Sequence, residues 1–384
     1  MKNKMKVLIV SNTSLTVRNF RVGLMQALKS KEYDVMFCAQ DNGYASEVKE
    51  KGFAFIPLTI DRKSTNIFVD LKQIISLYKI YRKERPDIVL HYTIKPNIYG
   101  SMAAALAGVP CINNITGLGY VFIKKDAVYF LVKFLYKISC NLAKRTFFQN
   151  KDDQNLFLGK GLITKKKAVL VNGSGIDTSF FSPDFCRSVK KEEGLFVFLF
   201  TGRFLWDKGV GEFVDAARLT KQKYTKTQFW LAGIIDEGNP AGISHETIKK
   251  WEKDGVIACH GEVKDIRPFI CMSDCVVLPS YREGIPRSLL EALAMEKPII
   301  TTNATGCREV VESGINGFSV PIRDYRALSE SFCKIIELSP EERLKMGKAG
   351  REKVKKEFEE KIIIDAYLKE IAQITGKAIC KQSL

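Results

Sequence analysis

Short apolar runs of strand length alternate with helical segments through both halves of the chain. In the first half the alternating segments are 6–10, 34–39, 45–51, 54–58, 66–84, 88–91, 98–107 and 111–115. The second half opens on the continuous apolar run 195–201, which is typical of a central strand. Such alternation predicts parallel sheets covered by helices, and 384 residues suffice for two domains with separate cores. We therefore predict an α/β protein with two Rossmann-like domains.

Composition restricts where the protein works and how its cysteines are used. No apolar run reaches the length of a transmembrane helix, and the apolar run after Met1–Lys6 is too short for a secretory signal. We therefore expect a cytoplasmic protein. The ten cysteines are scattered without a C-x-x-C pair. We expect neither a disulfide framework nor a zinc site from them, but reduced cysteines in the core.

The charge of the chain is concentrated in its first half. Residues 1–190 hold 30 Lys and Arg against 14 Asp and Glu, whereas residues 191–384 hold 30 against 29. A need for solubility would explain a positive total but not this segregation. A basic domain beside a neutral one indicates an anionic partner for the first half, which could be a nucleic acid, an anionic membrane face or a phosphorylated acceptor.

Three loops of the first half follow predicted strands and share basic or glycine residues. Ligands of parallel sheets bind at the carboxyl ends of the strands, so the loops 11–21, 91–97 and 116–120 should line one cleft. The first loop has no glycine, so the G-x-G-x-x-G dinucleotide motif is absent, which argues against a nicotinamide or flavin dehydrogenase. The residues that we predict to bind an anionic acceptor are Arg18, Arg21, Lys95, Thr116, Gly117 and Gly119.

A basic, aromatic segment follows these loops. Residues 120–148 are predicted to be helical, with six Lys or Arg, one acidic residue and Phe and Tyr residues between them. A helix of this composition can lie in a membrane interface, with its rings at headgroup depth and its bases near anionic lipid. It can equally be a core helix with basic ends, and the sequence leaves both interpretations open.

An anion site is predicted near the start of the last third of the chain. The run Cys275–Leu278 predicts a buried strand, the loop Pro279–Gly284 ends it, and Pro286 should be the first residue of a helix. The N–H groups at the start of a helix bind phosphate well. Glu283 and Glu291 flank this site, and carboxylates suit a phosphate-bearing ligand that also carries hydroxyl groups, such as a sugar nucleotide.

These two glutamates and the residues around them resemble the E-x7-E signature of glycosyltransferase family 4, which comprises retaining enzymes of the GT-B fold. Gly202–Gly209 resembles the family's G-R-x3-x-K-G loop, and 256–266 resembles its F-x-G-x-V-x-D-I segment. Asn172–Asp177 is similar to the turn before the family's second domain. His91–Gly100 resembles a subgroup that extends bacterial lipid-linked surface saccharides. The resemblance covers the chain nearly end to end and is most specific over 200–320.

The resemblance implies a role for each residue of a donor site. Arg203 and Lys208 would hold the donor's diphosphate, and fixed cations there would stabilise the charge of the departing group. Glu283 would orient the donor sugar, Glu291 would bind the ribose diol, and the backbone of 262–263 would read the nucleobase. The implied catalytic residues are Arg203, Lys208 and Glu283. The whole implied donor set is Gly202, Arg203, Lys208, Glu262, Val263, Glu283, Gly284, Ile285, Pro286 and Glu291.

The resemblance also implies the domain organisation. Residues 1–175 would be the acceptor-binding domain, 176–194 the linker and 195–357 the nucleotide-sugar domain. A helix within 358–384 would cross back to the first domain. The two domains of a GT-B enzyme face each other across a cleft.

The implied activity is transfer of a hexose or N-acetylhexosamine from a UDP-sugar to a polyprenyl-diphosphate-linked saccharide at the inner face of the cell membrane, with retention of configuration. N-acetylgalactosamine is the specific expectation. The sequence has no D-x-D pair, and two cations at the diphosphate can replace a metal, so we expect neither metal nor cofactor. We also expect no nucleic-acid partner. A nucleotide-sugar 2-epimerase of the same fold and a basic nucleic-acid-binding protein remain as alternatives at this point.

Overall fold

A computed structural model describes residues 4–60, 67–118, 122, 127–236 and 238–376 of the chain. The described residues form two compact units. The first unit comprises the residues up to Ser174 and those from Lys361 onwards, and the second is Gly175–Glu360. The predicted linker, 176–194, belongs to the second unit. Gly119 lies outside the described residues, as do 120–121 and 123–126 of the predicted basic aromatic helix.

The first unit is a parallel sheet with helices on both faces. Its strands are β1 (Lys6–Thr13), β2 (Asp34–Gln40), β3 (Ala54–Pro57), β4 (Ile88–Tyr92), β5 (Cys111–Ile115), β6 (Arg145–Phe148) and β7 (Ala168–Leu170). Its helices are α1 (Ser14–Phe20), α2 (Val22–Ser30), α3 (Ala45–Glu50), α4 (Ile67–Glu84), the π-helix Pro96–Gly100, α5 (Ser101–Ala107), α6 (Ala127–Leu142) and α7 (Lys151–Gly159). Among the described residues, its seven strands pair in the order β3-β2-β1-β4-β5-β6-β7.

Alternate side chains of these strands enter two apolar layers, as the period of two along a strand requires. Ile9 of β1 enters the layer that contains residues of α2 and of the closing helix α14 (Glu360–Thr375). Val10 enters the other layer, which contains residues of α4, α5 and α6. Tyr367 of α14 stacks on Phe147 with ring centroids 4.5 Å apart. The predicted return of the last helix to the first domain is therefore confirmed.

Two boundaries in the first unit differ from the sequence prediction. A loop is predicted over 11–21, but β1 runs on to Thr13 and α1 begins directly at Ser14. The Thr13 hydroxyl accepts a hydrogen bond from the Thr16 N–H and caps the helix, so no glycine or proline marks its start. The helix predicted over 120–148 ends at Leu142, because residues 145–148 pair with β5 and β7 as strand β6.

The second unit repeats this architecture. Its strands are β8 (Phe196–Thr201), β9 (Thr227–Ala232), β10 (Ala258–Gly261), β11 (Cys275–Leu278), β12 (Ile299–Thr302) and β13 (Gly317–Val320). Its helices are two 3₁₀-helices, Pro183–Ser188 and Trp206–Lys208, and α8 (Val210–Lys223), α9 (His245–Lys253), α10 (Arg267–Met272), α11 (Arg287–Ala294), α12 (Tyr325–Glu337) and α13 (Pro340–Glu357). In the described part of the chain, the order of its six strands is β10-β9-β8-β11-β12-β13.

A disulfide within the second unit joins the predicted linker to α10. Cys186 of the first 3₁₀-helix is bonded to Cys271 of α10, with the Cα atoms 5.1 Å apart. The expectation that all cysteines are reduced is therefore wrong for this pair. The two cysteines are 85 residues apart in sequence, and only the packing of the linker helix against α10 brings them together.

Both sheets have one place where the order of the strands reverses. In the first sheet it lies between β1 and β4, and in the second between β8 and β11. Ligands of open parallel sheets bind outside the carboxyl ends of the strands at such a reversal. The predicted α/β class with two Rossmann-like domains is confirmed, and the fold singles out one ligand position in each unit.

Candidate active site

Two charged side chains meet where the strand order of the second sheet reverses. Lys208 belongs to the segment after β8, and Glu283 to the loop after β11. The Lys208 Nζ atom lies 2.5 Å from Glu283 Oε1, and the two side chains are only 21% and 13% exposed. The fold thus brings together two residues that come from separate sequence motifs.

Backbone contacts hold the loops of this site against one another. The Tyr281 N–H donates to the Asp207 carbonyl at 2.9 Å, and the Ser280 hydroxyl donates to the same carbonyl at 3.2 Å. The Glu283 N–H donates to the carbonyl of Thr305, in the loop after β12, at 2.9 Å. Two of these three bonds join main-chain atoms, so the backbone itself fixes the loops that carry Lys208 and Glu283.

Two glycines allow the loops to approach this closely. Gly209 has φ +74°, and a Cβ atom there would lie 2.1 Å from the Pro279 carbonyl oxygen. Gly306 has φ +85°, and its Cβ would lie 2.4 Å from the Gly284 carbonyl oxygen. Both the left-handed backbone and the lack of space require glycine at these positions.

The second predicted diphosphate cation, Arg203, also contacts a carboxylate. Its Nη1 atom lies 3.1 Å from Asp236 Oδ2. Asp207 belongs to the same segment, and its Oδ1 atom is buried with no hydrogen-bond partner among the described residues. Burial raises the pKa of Asp207, against the effect of Lys208, and the charge of Glu283 raises it further. Asp207 is not among the residues predicted from the sequence, although it directly precedes Lys208 in the Gly202–Gly209 motif.

Glu291 lies on α11 and contacts Arg287 one turn earlier. The sequence predicts Pro286 as the first helical residue, but Pro286 is the N-cap, with ψ 107°, and the helix begins at Arg287. The Arg287 Nε–H donates to Glu291 Oε1 at 3.0 Å. Burial raises the pKa of Glu291, Arg287 opposes this rise, and the carboxylate of Asp265 adds to it. Asp265 follows residues 262–263, the segment predicted to read the base.

The other predicted donor residues also follow the carboxyl ends of strands in the second sheet. Gly202, with φ +150°, comes after β8. Gly284 is buried, and Ile285 packs against the core of the second unit. Glu262 is exposed after β10, while Val263 packs partly against the same core. The predicted donor residues therefore follow β8, β10 and β11 at one edge of one sheet.

In the first unit, two of the predicted acceptor cations are bound to carboxylates of their own unit. The Arg18 Nε atom lies 2.6 Å from Glu47 Oε2. The Lys95 Nζ atom lies 3.0 Å from Asp70 Oδ1. Thr116 and Gly117, the latter with φ +115°, follow β5 at the same edge of the sheet. Arg18 and Lys95 thus already have anionic partners, which weakens their case as ligand-binding groups.

Arg21 is in a different environment. Its side chain is 3% exposed, and its guanidinium carbon lies 3.8 Å from the centre of the Tyr92 ring at the end of β4. The Arg21 Nε–H has no hydrogen-bond partner among the described residues, and neither has the buried Ser11 hydroxyl. Ser11 follows the register pair Val10 and His91 and so lies beside Tyr92 at the reversal of the first sheet.

Sequence reasoning missed a strained segment directly after β4. Thr93 has φ +74°, which is rare for a β-branched residue and typical of functional sites. The π-helix that follows, Pro96–Gly100, is a further mark of such sites. Nothing in the local sequence predicts the positive φ of Thr93 or the π-helix.

A buried hydrogen-bond network supports this segment. The Tyr81 hydroxyl donates to His91 Nε2 at 2.9 Å, and the His91 Nδ1–H donates to Asn113 Oδ1 at 3.0 Å. Burial lowers the pKa of His91 to about 4, although the Asn113 bond opposes this, so the ring is neutral at pH 7. A Cβ atom at Gly100 would lie 2.5 Å from His91 Nε2, so the π-helix packs directly on the ring.

Two features are absent from the described residues. No group of three or more His, Cys, Asp or Glu side chains among them could hold a metal ion. No helix among them is both long and apolar enough to cross a membrane.

Two family models match the chain, one in each half. Residues 183–353 match the model described as glycosyl transferases group 1. Residues 6–150 match the model described as glycosyl transferase 4-like. The two matches thus cover the candidate site of the second unit and most of the first unit.

Two curated relatives match nearly the whole chain. One is an N,N'-diacetylbacillosaminyl-diphospho-undecaprenol alpha-1,3-N-acetylgalactosaminyltransferase of Campylobacter jejuni, 30% identical over 95% of this chain and 98% of its own length. Another is a UDP-Gal:alpha-D-GlcNAc-diphosphoundecaprenol alpha-1,3-galactosyltransferase of Escherichia coli, 26% identical over 87% of this chain and 88% of its own length.

Solved structures share the fold. A glycosyltransferase from Rickettsia africae has a TM-score of 0.78 at 20% identity, covering 98% of this chain and 100% of its own. HepE from Anabaena, solved with UDP and glucose, has a TM-score of 0.77 at 18% identity, covering 96% of this chain and 99% of its own. Together with the family models and the nearly full-length relatives, this shows that the chain is a glycosyltransferase and belongs to the group 1, family 4-like glycosyltransferases of the GT-B fold.

Proposed function

We propose that the enzyme transfers a hexose or N-acetylhexosamine, with N-acetylgalactosamine as the specific candidate, from a UDP-sugar to a polyprenyl-diphosphate-linked saccharide in bacterial surface glycan assembly. The observation that carries the proposal is the meeting of Lys208 and Glu283 at the strand reversal of the second sheet. A cation and a carboxylate at one point match a ligand that carries both diphosphate and hydroxyl groups. The names of both relatives, which contain a diphospho-undecaprenol acceptor, support the acceptor class.

Arg203 and Lys208 stabilise the departing nucleoside diphosphate in this proposal. As the glycosidic bond breaks, negative charge builds up on the diphosphate, and cations already fixed in place lower the barrier. In the ligand-free enzyme Asp236 and Glu283 neutralise these cations. On donor binding the diphosphate takes over as the anionic partner, and Glu283 becomes available to accept hydrogen bonds from the sugar hydroxyls. Two side-chain cations do the work of a metal ion, so the proposed reaction is metal-independent.

The proposed reaction retains the configuration at the anomeric carbon. The bond from this carbon to the diphosphate oxygen breaks, and a bond to the acceptor hydroxyl oxygen forms on the same face of the sugar. The proton of the acceptor hydroxyl passes to the departing diphosphate oxygen, so no protein base is needed. A UDP-hexose is an α-glycoside, so the alpha linkage in both relatives' names is what retention would give.

Arg21 is the proposed anchor for a phosphate of the acceptor. Arg21 has no carboxylate partner among the described residues, and a buried guanidinium in that state is costly unless a ligand completes it. The unpartnered Ser11 hydroxyl is a second donor at the same strand reversal. Thr116, Gly117 and the strained Thr93 follow neighbouring strands at this edge. Arg18 and Lys95 have weaker roles in this proposal because each is already bound to a carboxylate.

The proposed location is the cytoplasmic face of the cell membrane, with the protein bound peripherally. A polyprenyl-linked acceptor stays in the bilayer, whereas UDP-sugars are cytoplasmic and water-soluble. The enzyme must therefore meet its two substrates at this surface. The basic first half of the sequence supports this location.

A two-stage assay tests the proposal. The first stage measures thermal shifts with a panel of nucleotide sugars, and we expect UDP-sugars to stabilise the protein more than GDP- or ADP-sugars. The second stage adds membrane lipid extract and excess EDTA, and we expect a lipid-linked product with an α-anomeric linkage. A β-linked product would refute retention, and loss of transfer in EDTA would refute metal independence.

The same assay separates the alternatives. An epimerase of the same fold converts a UDP-sugar to a new sugar nucleotide without any acceptor, so a control lacking lipid decides between the two activities. A nucleic-acid-binding function requires binding that persists with UDP present and weakens steeply with salt. We expect neither a new sugar nucleotide nor such binding.

A further inference from the structure

We propose that the first turns of α4 and α6 form a surface that binds an anionic lipid bilayer. The inference rests on the proposed function to the extent that the acceptor is lipid-linked. Six large apolar side chains on these two helices are between 45% and 73% exposed. This outer apolar face consists of Phe68, Leu71 and Ile75 on α4 and Phe130, Leu131 and Phe134 on α6.

The outer apolar face has no role in the core of its own unit. The opposite sides of the same helices already fill the apolar layer under the sheet, through Leu77 and Tyr81 on α4 and Tyr136 and Cys140 on α6. A helix that packs on a sheet normally presents polar residues to water. Apolar residues on both sides of two helices therefore indicate a second apolar surface on the outside, and patches of this kind mark interaction sites.

The fold places this face at the carboxyl edge of the first sheet. Helix α4 leaves the carboxyl end of β3 and leads to β4, and α6 connects β5 to β6 in the same sense. Each helix therefore runs antiparallel to the strands, and its first turns lie at their carboxyl edge. Both helices also contact the π-helix Pro96–Gly100, which follows β4. The exposed apolar residues lie at the edge that holds Arg21 and Thr116, where the acceptor is proposed to bind.

The charge around the face favours anionic lipid over a second copy of the chain. Helix α6 contains Lys133 and Lys137 and no acidic residue. Helix α4 adds the exposed Lys72 and Lys79, while its Asp70 is paired with Lys95. Two copies joined through this face would bring lysines against lysines, whereas an anionic bilayer attracts them. Phenylalanine rings with flanking lysines suit the depth of the headgroups.

Vesicle flotation of the full-length protein tests this inference. The vesicles contain phosphatidylcholine with or without phosphatidylglycerol, and no polyprenyl lipid or sugar nucleotide is present. We expect binding to the anionic vesicles that weakens as salt is added. Phe130→Ser/Phe134→Ser should weaken it about 100-fold, because two rings no longer leave water. Lys133→Gln/Lys137→Gln should weaken binding to the anionic vesicles about 30-fold.

The matched control removes the same kind of side chain from the other unit. Ile315 and Leu344 are 55% and 48% exposed in the second unit, and Ile315→Ser/Leu344→Ser should leave vesicle binding unchanged. Circular dichroism and thermal unfolding confirm that each variant is folded. Undiminished binding by the phenylalanine variant, or an equal loss in the control, would overturn the proposal. The proposal would also be overturned if the protein formed a dimer without vesicles and the phenylalanine variant were monomeric, because a second copy would then be the partner.

The two proposals fail separately in this design. Vesicle binding is measured without donor or acceptor, so an enzyme with a different sugar or acceptor would still bind. Transfer is measured on a short-chain, water-soluble acceptor analogue. The phenylalanine variant should keep its activity on that analogue and lose activity only on acceptor embedded in vesicles.

Discussion

Lys208→Ala should damage stability and catalysis by separate mechanisms. Lys208 and Glu283 form a charge-assisted hydrogen bond in which both side chains are largely shielded from water. Hydrogen bonds to charged groups contribute about 1.5–3 kcal/mol to stability. Because this pair is partly exposed, Lys208→Ala should lower the free energy of unfolding by ~2 kcal/mol. In the proposed reaction Lys208 is one preorganised donor on the leaving diphosphate, and removal of such a donor costs roughly 10²–10³ in kcat.

A double variant separates the two effects. Glu283→Gln in the Lys208→Ala background removes the carboxylate that had lost its ammonium, so most of the ~2 kcal/mol should return. The rate should not return, because the leaving group still lacks its cation. All three tryptophans lie in the second unit, so fluorescence during urea denaturation follows the unfolding of this unit alone. Turnover is measured at saturating UDP-sugar, and Lys208→Arg is the control that keeps the charge.

One result would refute this reasoning. If the double variant recovered kcat in parallel with its free energy of unfolding, Lys208 would serve only to neutralise Glu283, and the assignment of a diphosphate cation would be wrong. A Lys208→Ala variant with full activity would have the same consequence. Loss of activity with unchanged stability would instead show that the ion pair itself contributes little to folding.

Three further predictions follow from single features of the structure. Gly306→Ala should lower kcat/KM about 100-fold, because its Cβ would push on the Glu283 loop. Gly314 also has a positive φ, but its Cβ would meet no atom within 4 Å, so Gly314→Ala should stay active. Steady-state kinetics compare the two variants. Burial lowers the pKa of His91 to about 4, so as the pH falls from 7 to 4 the unfolded state binds a proton that the folded state does not. The free energy of unfolding should therefore fall by about 3 kcal/mol over this range. Denaturation at each pH should show a correspondingly smaller fall for His91→Gln. Cys186→Ser should lower the stability of the second unit by up to about 4–5 kcal/mol from the entropy of an 85-residue loop, and added reductant should have no further effect on the tryptophan-monitored transition of this variant.

The candidate site of the second unit could be located from the sequence because its signals are local. Gly202–Gly209 and the E-x7-E segment are short strings in which cations, glycines and carboxylates keep fixed spacings. The helix start, one residue later than predicted, shows the usual limit of such signals: Pro286 fits both the cap and the first helical position. The meeting of Lys208 with Glu283 was implied by the family and not by either string, since it depends on β8 and β11 being neighbours.

The environment of the predicted acceptor residues was harder to predict, because it depends on contacts between residues that are distant in sequence. Nothing near Arg18 or Lys95 in sequence shows that Glu47 and Asp70 will neutralise them. Thr93 has a positive φ, but it is neither a glycine nor an asparagine, so its residue type does not predict this conformation. The neutral state of His91 results from burial, which the local sequence does not show. The Cys186–Cys271 bond has the same origin, since each cysteine alone is an ordinary buried residue.

Part of the excess positive charge of the first half lies on the outside of two helices. Two of the three cations predicted for the acceptor loops are bound to carboxylates, so those loops account for little of the excess. Arg21 supplies one buried charge at the strand reversal, which suits a single phosphate but not a large anionic surface. Four further charges are Lys72 and Lys79 of α4 and Lys133 and Lys137 of α6, the helices that carry the outer apolar face. Charge spread over the outside of two helices attracts an extended anionic surface, whereas charge fixed at a strand end selects one group. In the two proposals, the same unit binds the bilayer through the lysines of α4 and α6 and a lipid-linked diphosphate through Arg21.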